Sequence, residues 1–174
     1  FCLIQAFMLA GLFSYIGASS FVLQNEYGLS AMQFSLLFGV NGIGLIISAL
    51  TFSRLARRHP SEGLMQIGLV LAVAAAALTL LFAWMHLSAL ALIALFFTVA
   101  FNSGISTIAG SEAMSAVESR ESGTASAILG MLMFLFGGIA APLAGIGGET
   151  MLKMSFAVVV SYSIALVIGT HTRE

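Results

Sequence analysis

Long stretches of this chain carry no Asp, Glu, Lys or Arg, among them Tyr27 to Ser53, Gly63 to Ser111 and Gly123 to Gly148. A bilayer core of about 30 Å is crossed by about 20 largely apolar residues in helical form, and each stretch is longer than that. The chain as a whole is 60% hydrophobic and 7% charged. A water-soluble domain has about a quarter of its residues charged, so this chain has too little charge to solvate a globule. In lipid every backbone N–H and C=O must be satisfied internally, which leaves helices or a closed barrel. The dyad alternation of a barrel strand does not appear. The fold class that follows is an all-α membrane protein.

Breaks between the apolar runs predict six transmembrane helices, at about 2–24, 31–54, 62–84, 88–114, 122–146 and 151–170, in one domain spanning 1–174. Ser30 and Ser61 stand where N-caps of the second and third helices belong. Arg54, Arg57, Arg58, Arg120 and Arg173 fall in the connections after helices two and four and in the C-terminal tail, with only Lys153 on the other side. Positive residues stay cytoplasmic, so both termini are expected inside. Trp84 and Tyr27 fall at the opposite interface, where amphipathic rings prefer to sit. The chain opens on Phe1, already inside an apolar run and without a basic n-region. A cleavable signal peptide is therefore not expected, and a fragment of a longer protein is.

Polar and small residues concentrate in helices one, two, four and five, while the third, with Ala74 to Ala77 and then leucines, reads as peripheral and lipid-facing. Asn41 lies about 15 Å into the second helix, near the midplane, and Asn102 is at comparable depth in the fourth. Each amide either makes an interhelical hydrogen bond, worth about 0.6 kcal/mol on average in membranes, or faces a water-filled cavity. Phe13 and Tyr15 either pack in the core or offer ring faces to an aromatic or cationic ligand. Glu112, about 36 Å past the start of its helix, and Glu26 read as solvated helix ends, so no convincing proton-coupling carboxylate is in the chain. Arg54, Arg57 and Arg58 are a topology anchor by default and a candidate cytoplasmic gate latch. Gly137, Ala141 and Gly145 recur every four residues, a stripe that permits close helix packing. Pro142 removes a hydrogen bond from the Gly138 carbonyl, so a kink is expected there.

Several chemistries are disfavoured. Cys2 is the single cysteine, so no internal disulfide forms, and no Cys/His/Asp/Glu cluster has metal-ligand spacing. No cofactor is implied. A net charge of -1 argues against nucleic acid, which needs concentrated Lys and Arg. An intramembrane serine protease of the rhomboid type would need Gly-x-Ser-Gly, and neither Asn102-Ser103-Gly104 nor Glu121-Ser122-Gly123 follows a Gly. His86 and His171 fall near opposite membrane faces, so the chain is not expected to be an enzyme.

Three segments carry a resemblance. YIGASSFVLQNEYG, Tyr15 to Gly28, runs into LSAMQFSLLFGVN, ending at Asn41; SRLARR spans Ser53 to Arg58; GTASAILG spans Gly123 to Gly130. They are similar to the C-terminal six-helix half of the Bcr/CflA-type drug/proton antiporters in the major facilitator superfamily. FGGIAAPLAGIGG, Phe136 to Gly148, is similar to the antiporter motif of the other half. Ser20 departs from the family, where Pro is expected. The resemblance implies two six-helix halves with the substrate between them near the midplane, in a bacterial cytoplasmic (inner) membrane. Helices one, two, four and five would face the cavity, with Tyr15, Asn41 and Asn102 lining it. The implied function is proton-coupled multidrug efflux of small amphipathic compounds by alternating access, with protons carried mainly by the absent N-terminal half. The competing class is a non-transporting six-helix scaffold or receptor module.

Overall fold

A computed structural model describes residues 1–145, 148 and 150–171. Among the described residues six helices are long and apolar enough to cross a membrane: α1 Cys2–Phe21, α2 Ala31–Ala56, α3 Ser61–Trp84, α4 Ser88–Ser115, α5 Ser122–Gly145 and α6 Met151–His171. The chain is an integral membrane protein, and its regular structure among the described residues is helical. Ile146 and Gly147, expected at the end of the fifth helix and in its motif, lie outside the described residues, as does Arg173 of the tail.

The ends of the helices follow local chemistry. Ser30 caps α2: its hydroxyl accepts from Gln33 N–H at 3.2 Å, and the Gln33 side chain accepts from Ser30 N–H at 2.9 Å, a reciprocal capping box. At α3 the expectation is corrected. Pro60 holds the N-cap position and Ser61 is the first helical residue, with no side-chain cap. The Pro60 carbonyl accepts from Leu64 N–H at 3.2 Å, so the turn closes without a serine. α2 runs two residues beyond its expected end and takes Arg54 into its last turn, where a cation suits the carbonyl end of the helix dipole. α1 is continued by a wider π-helical turn, Val22–Glu26.

The packing has an internal two-fold logic. α1 lies against α5, α6 and α4, while α4 lies against α2, α3 and α1, and α3 meets α6. Exchanging the first three helices for the last three leaves this scheme unchanged, the mark of two three-helix repeats. α1 and α4 form the centre, α3 and α6 close one side, and α2 and α5 stand as outer arms. In α1 and α4 about half of the spanning residues are buried (56% and 50%), against 11% in each of α2 and α5. The core between these helices includes Met8, Leu69, Leu95, Ile105, Met154 and Tyr162.

Glycines set the closest approaches. A Cβ on Gly137 of α5 would lie 2.7 Å from the Phe13 ring of α1, and one on Gly17 would lie 3.3 Å from Ala141. Phe52 of α2 fits against α3 and α4 in the same way: added Cβ atoms on Gly68 and Gly104 would approach its ring to 2.8 and 2.5 Å. The third helix is peripheral on one face only. Met65, Leu69, Ala72, Ala76 and Thr79 are buried, while Ile67, Val70, Leu71 and Leu78 are exposed. Its alanines therefore serve close packing on α4 and α6 as much as lipid contact.

Candidate functional site

Tyr15 on α1 and Asn41 on α2 are brought together. The Asn41 amide donates from Nδ2 to Tyr15 Oη at 2.8 Å, and both residues are buried. The Tyr15 ring stacks on Phe38 at 6.0 Å with 12° between planes, and Phe34 adjoins Phe38 at 5.7 Å. Phe38 is partly exposed, so this short aromatic ladder offers ring surface beside a buried polar pair. Phe34 and Phe38 were not singled out from the sequence. Their four-residue spacing on one helix face was legible there, but nothing distinguished them from core phenylalanines before the fold set Tyr15 on Phe38, which Phe34 adjoins. Phe13 turns the other way, edge-on to Phe134 of α5 at 6.0 Å.

Asn41 also borders a cleft of about 220 Å³ between α2 and α4, with Leu37, Val40, Leu92, Ile93 and Phe96. Its Oδ1 is buried and has no hydrogen-bond partner among the described residues. In a low-dielectric interior an unpaired carbonyl oxygen is costly, so this atom is a marked feature of the site.

Asn102 stands apart from that pair. It is 1% exposed and donates from Nδ2 to the Met8 carbonyl of α1 and, at 3.0 Å, to Tyr162 Oη of α6. The Tyr162 hydroxyl reaches the Thr98 carbonyl at 3.5 Å, and the Thr98 and Thr79 hydroxyls meet at 3.1 Å. This polar chain joins α1, α3, α4 and α6 through the middle of the bundle. Tyr162 was not recognised in the sequence, because its partner lies 60 residues away on another helix and leaves no local signal.

At the basic end, Arg54, Arg57 and Arg58 are exposed and border a cleft of about 520 Å³ with Leu55 and His59. Arg57 also lines a second cleft, of about 290 Å³, whose walls include Ser53, Ser61, Thr107, Ser111 and Glu112. A cation and a carboxylate thus share one polar recess between α2, α3 and α4. Gly137 and Ala141 face α1 at the approaches given above. Pro142 lies within α5, which continues to Gly145, and Ser14 Oγ of α1 donates to the nearby Ala140 carbonyl at 3.4 Å.

Glu26, read as a solvated helix end, has a specific partner. Its Oε2 accepts from the Met151 N–H at 2.6 Å, so the far end of α1 caps the start of α6. The π-helical turn brings the carboxylate there, and an anion at a helix N-terminus is stabilised by the dipole. Next to it, burial and then the Glu26 charge hold the Tyr27 hydroxyl above its ordinary pKa of 10.0.

Residues 1–169 match the Major Facilitator Superfamily. The chain is 30% identical over 154 residues to the uncharacterized MFS-type transporter YdgK of Bacillus subtilis (strain 168), an alignment covering 88% of this chain and 38% of that protein. It therefore spans well under half the length of that relative. No solved structure matches. With six spanning helices arranged as two three-helix repeats, the chain belongs to the Major Facilitator Superfamily and has the architecture of one half of its fold.

Proposed function

We propose that residues 1–174 form one six-helix half of a proton-coupled secondary transporter that exports small amphipathic compounds by alternating access. The observation that carries this reading is the asymmetry of burial. α2 and α5 are bare along most of their length, with Ile43, Ile46, Ile47, Phe134, Leu135 and Ile139 all more than half exposed. α2 carries Asn41 and the aromatic ladder, and α5 packs on α1, which carries Tyr15. A second six-helix unit set against both arms would enclose the Tyr15–Asn41 pair between two halves, and the relative's greater length leaves room for one.

Tyr15 and Asn41 would contact substrate, with ring surface from Phe38. Asn102 would act one layer behind, holding α1, α4 and α6 together as the halves rock. Arg54, Arg57 and Arg58 would anchor this end in the cytoplasm, with both termini on that side, and Arg57 opposite Glu112 would serve as the gate. Among the described residues the buried polar side chains are Gln, Ser, Asn and Thr, without a charged one. Proton coupling is accordingly assigned to the other half.

The test is proton-driven dye efflux in inverted vesicles, comparing this chain alone with the chain joined to an N-terminal six-helix partner. Efflux only with the partner is the expected result. Efflux from the chain alone would overturn the assignment of coupling to the other half and shift it to Glu26 or Glu112.

A further inference from the structure

Arg54, Arg57 and Arg58 crowd the end of α2, and topology asks no more of them than positive charge on one side of the membrane. The fold gives them more than that. All three are exposed, and with Leu55 and His59 they border one cleft of about 520 Å³. Among the described residues none of the three makes an ion pair or a side-chain hydrogen bond, and no carboxylate borders the cleft. Glu112 lies in the neighbouring recess, which Arg57 also lines. Unneutralised guanidinium groups around one opening suit an anion, and their planar forks match the oxygens of a phosphate. The carbonyl end of α2 opposes an anion. Its Leu55 carbonyl, however, already accepts from the Arg58 and His59 N–H groups at 2.9 and 3.0 Å, so the full charges of the arginines set the sign of the local field.

The depth of the cleft selects the source of the phosphate. α2 has 26 residues, about 39 Å at 1.5 Å each, against about 30 Å of hydrocarbon. Its last turn, which holds Arg54, therefore stands at headgroup level. Leu55, 39% exposed, adds an apolar edge to the cleft. A free phosphate ion has no use for that edge, whereas the glycerol and upper acyl chain of a lipid do. We infer that this cleft binds the phosphate of an anionic phospholipid from the adjoining leaflet, held chiefly by Arg54 and Arg58, with Arg57 and His59 beside them. Basic pockets on the cytoplasmic side of membrane helices take such headgroups, and each arginine near the surface contributes about fivefold in affinity. The site stands whether or not the chain transports.

Two lipids with the same acyl chains isolate the headgroup: phosphatidylglycerol, which is anionic, and phosphatidylcholine, whose choline cation offsets the same phosphate. Each is titrated into the chain in uncharged detergent, and native mass spectrometry reads the Kd of the first lipid bound. Phosphatidylglycerol is expected to bind about fivefold more tightly or better. Arg54→Gln with Arg58→Gln should bring the two lipids to within about twofold of each other. Both side chains are exposed, so a melting temperature equal to that of the unaltered chain is expected to accompany the change. Arg120→Gln is the control, because Arg120 is exposed in the α4–α5 connection, between Glu118 and Glu121 and away from the cleft; it should leave the preference as it was. Equal binding of the two lipids to the unaltered chain, a preference that survives the double substitution, or an equal loss in Arg120→Gln would each overturn the inference. A last arm adds glycerol 3-phosphate, the soluble headgroup fragment, at the concentration of the lipid. It should not displace phosphatidylglycerol; displacement would assign the cleft to a soluble phosphate compound and overturn the lipid.

Discussion

Replacing Tyr162 by Phe removes one oxygen from the middle of the bundle, and the surrounding geometry sets what that costs. Tyr162 Oη accepts from Asn102 Nδ2 at 3.0 Å, and Asn102 keeps its second bond, to the Met8 carbonyl. Tyr162→Phe therefore loses the Asn102 bond and the longer one, at 3.5 Å, to the Thr98 carbonyl but leaves no buried donor wholly unpaired, a loss of about 0.6–1.7 kcal/mol. Asn102→Leu is harsher. It removes both bonds and leaves the Tyr162 hydroxyl with its long contact, at 3.5 Å, to the Thr98 carbonyl, for about 1–3 kcal/mol. If the two side chains act through their shared bond, the double variant costs less than the sum of the single ones, by about 0.6–1.7 kcal/mol. The assay is reversible unfolding in mixed micelles, followed by the fluorescence of Trp84, the single tryptophan of the chain. Strict additivity of the two substitutions would refute the reasoning, because it would mean that Asn102 and Tyr162 do not meet in the folded chain.

Three further outcomes follow from the packing and the turns. Gly104→Ala places a Cβ 2.5 Å from the Phe52 ring and should destabilise by about 1–3 kcal/mol; Phe52→Leu in the same chain should recover part of that loss in the same unfolding assay, and no recovery would contradict the contact. Glu26→Ala leaves the first N–H of α6 uncapped and should cost about 1 kcal/mol, with Glu26→Gln losing less because its amide oxygen still accepts; thermal melts of the three chains check the order. His86 joins α3 to α4 with φ 56, a left-handed conformation that costs a residue with a side chain about 1–2 kcal/mol. His86→Gly should therefore raise the melting temperature, its gain of about 0.5–1 kcal/mol being reduced by the greater freedom of glycine in the unfolded chain.

The spans were legible because they rest on a strong and local signal, long charge-free runs that only a helix can carry through lipid. Their ends were less so. Ser61 looked like a cap because serine caps helices, yet Pro60 already satisfies the turn and Ser61 falls inside it. The π-helical end of α1 had no sequence mark, since the extra residue per turn is settled by where Glu26 meets α6. Packing partners are a property of three dimensions. The alanines of α3 suggested lipid contact by their apolarity, whereas their small size is what lets α4 and α6 come close.

The two asparagines show where sequence reasoning reaches its natural limit. Both are amides near the middle of a polar, glycine-containing helix, and by depth and residue type they are equivalent. The bundle separates them through the two-fold scheme of its helices. α4 is central, with neighbours on three sides, so a polar group on its inner face meets the Met8 carbonyl and Tyr162 and is used up in holding helices together. α2 is an arm with one bare face, so Asn41 has Tyr15 on one side and, among the described residues, no hydrogen-bond partner for its oxygen on the other. A group that is satisfied within its own half is suited to stabilising that half. A group left with an open bond at the edge of an uncovered arm is suited to meeting something from outside. On that argument Asn41→Leu should alter which ligands are recognised at the cost of one bond, to the Tyr15 hydroxyl, and Asn102→Leu, which breaks two, should weaken the fold more while leaving the order of ligand preference unchanged. Measuring both properties on both variants tests the division, and a loss of ligand preference in Asn102→Leu at unaltered stability would reverse it.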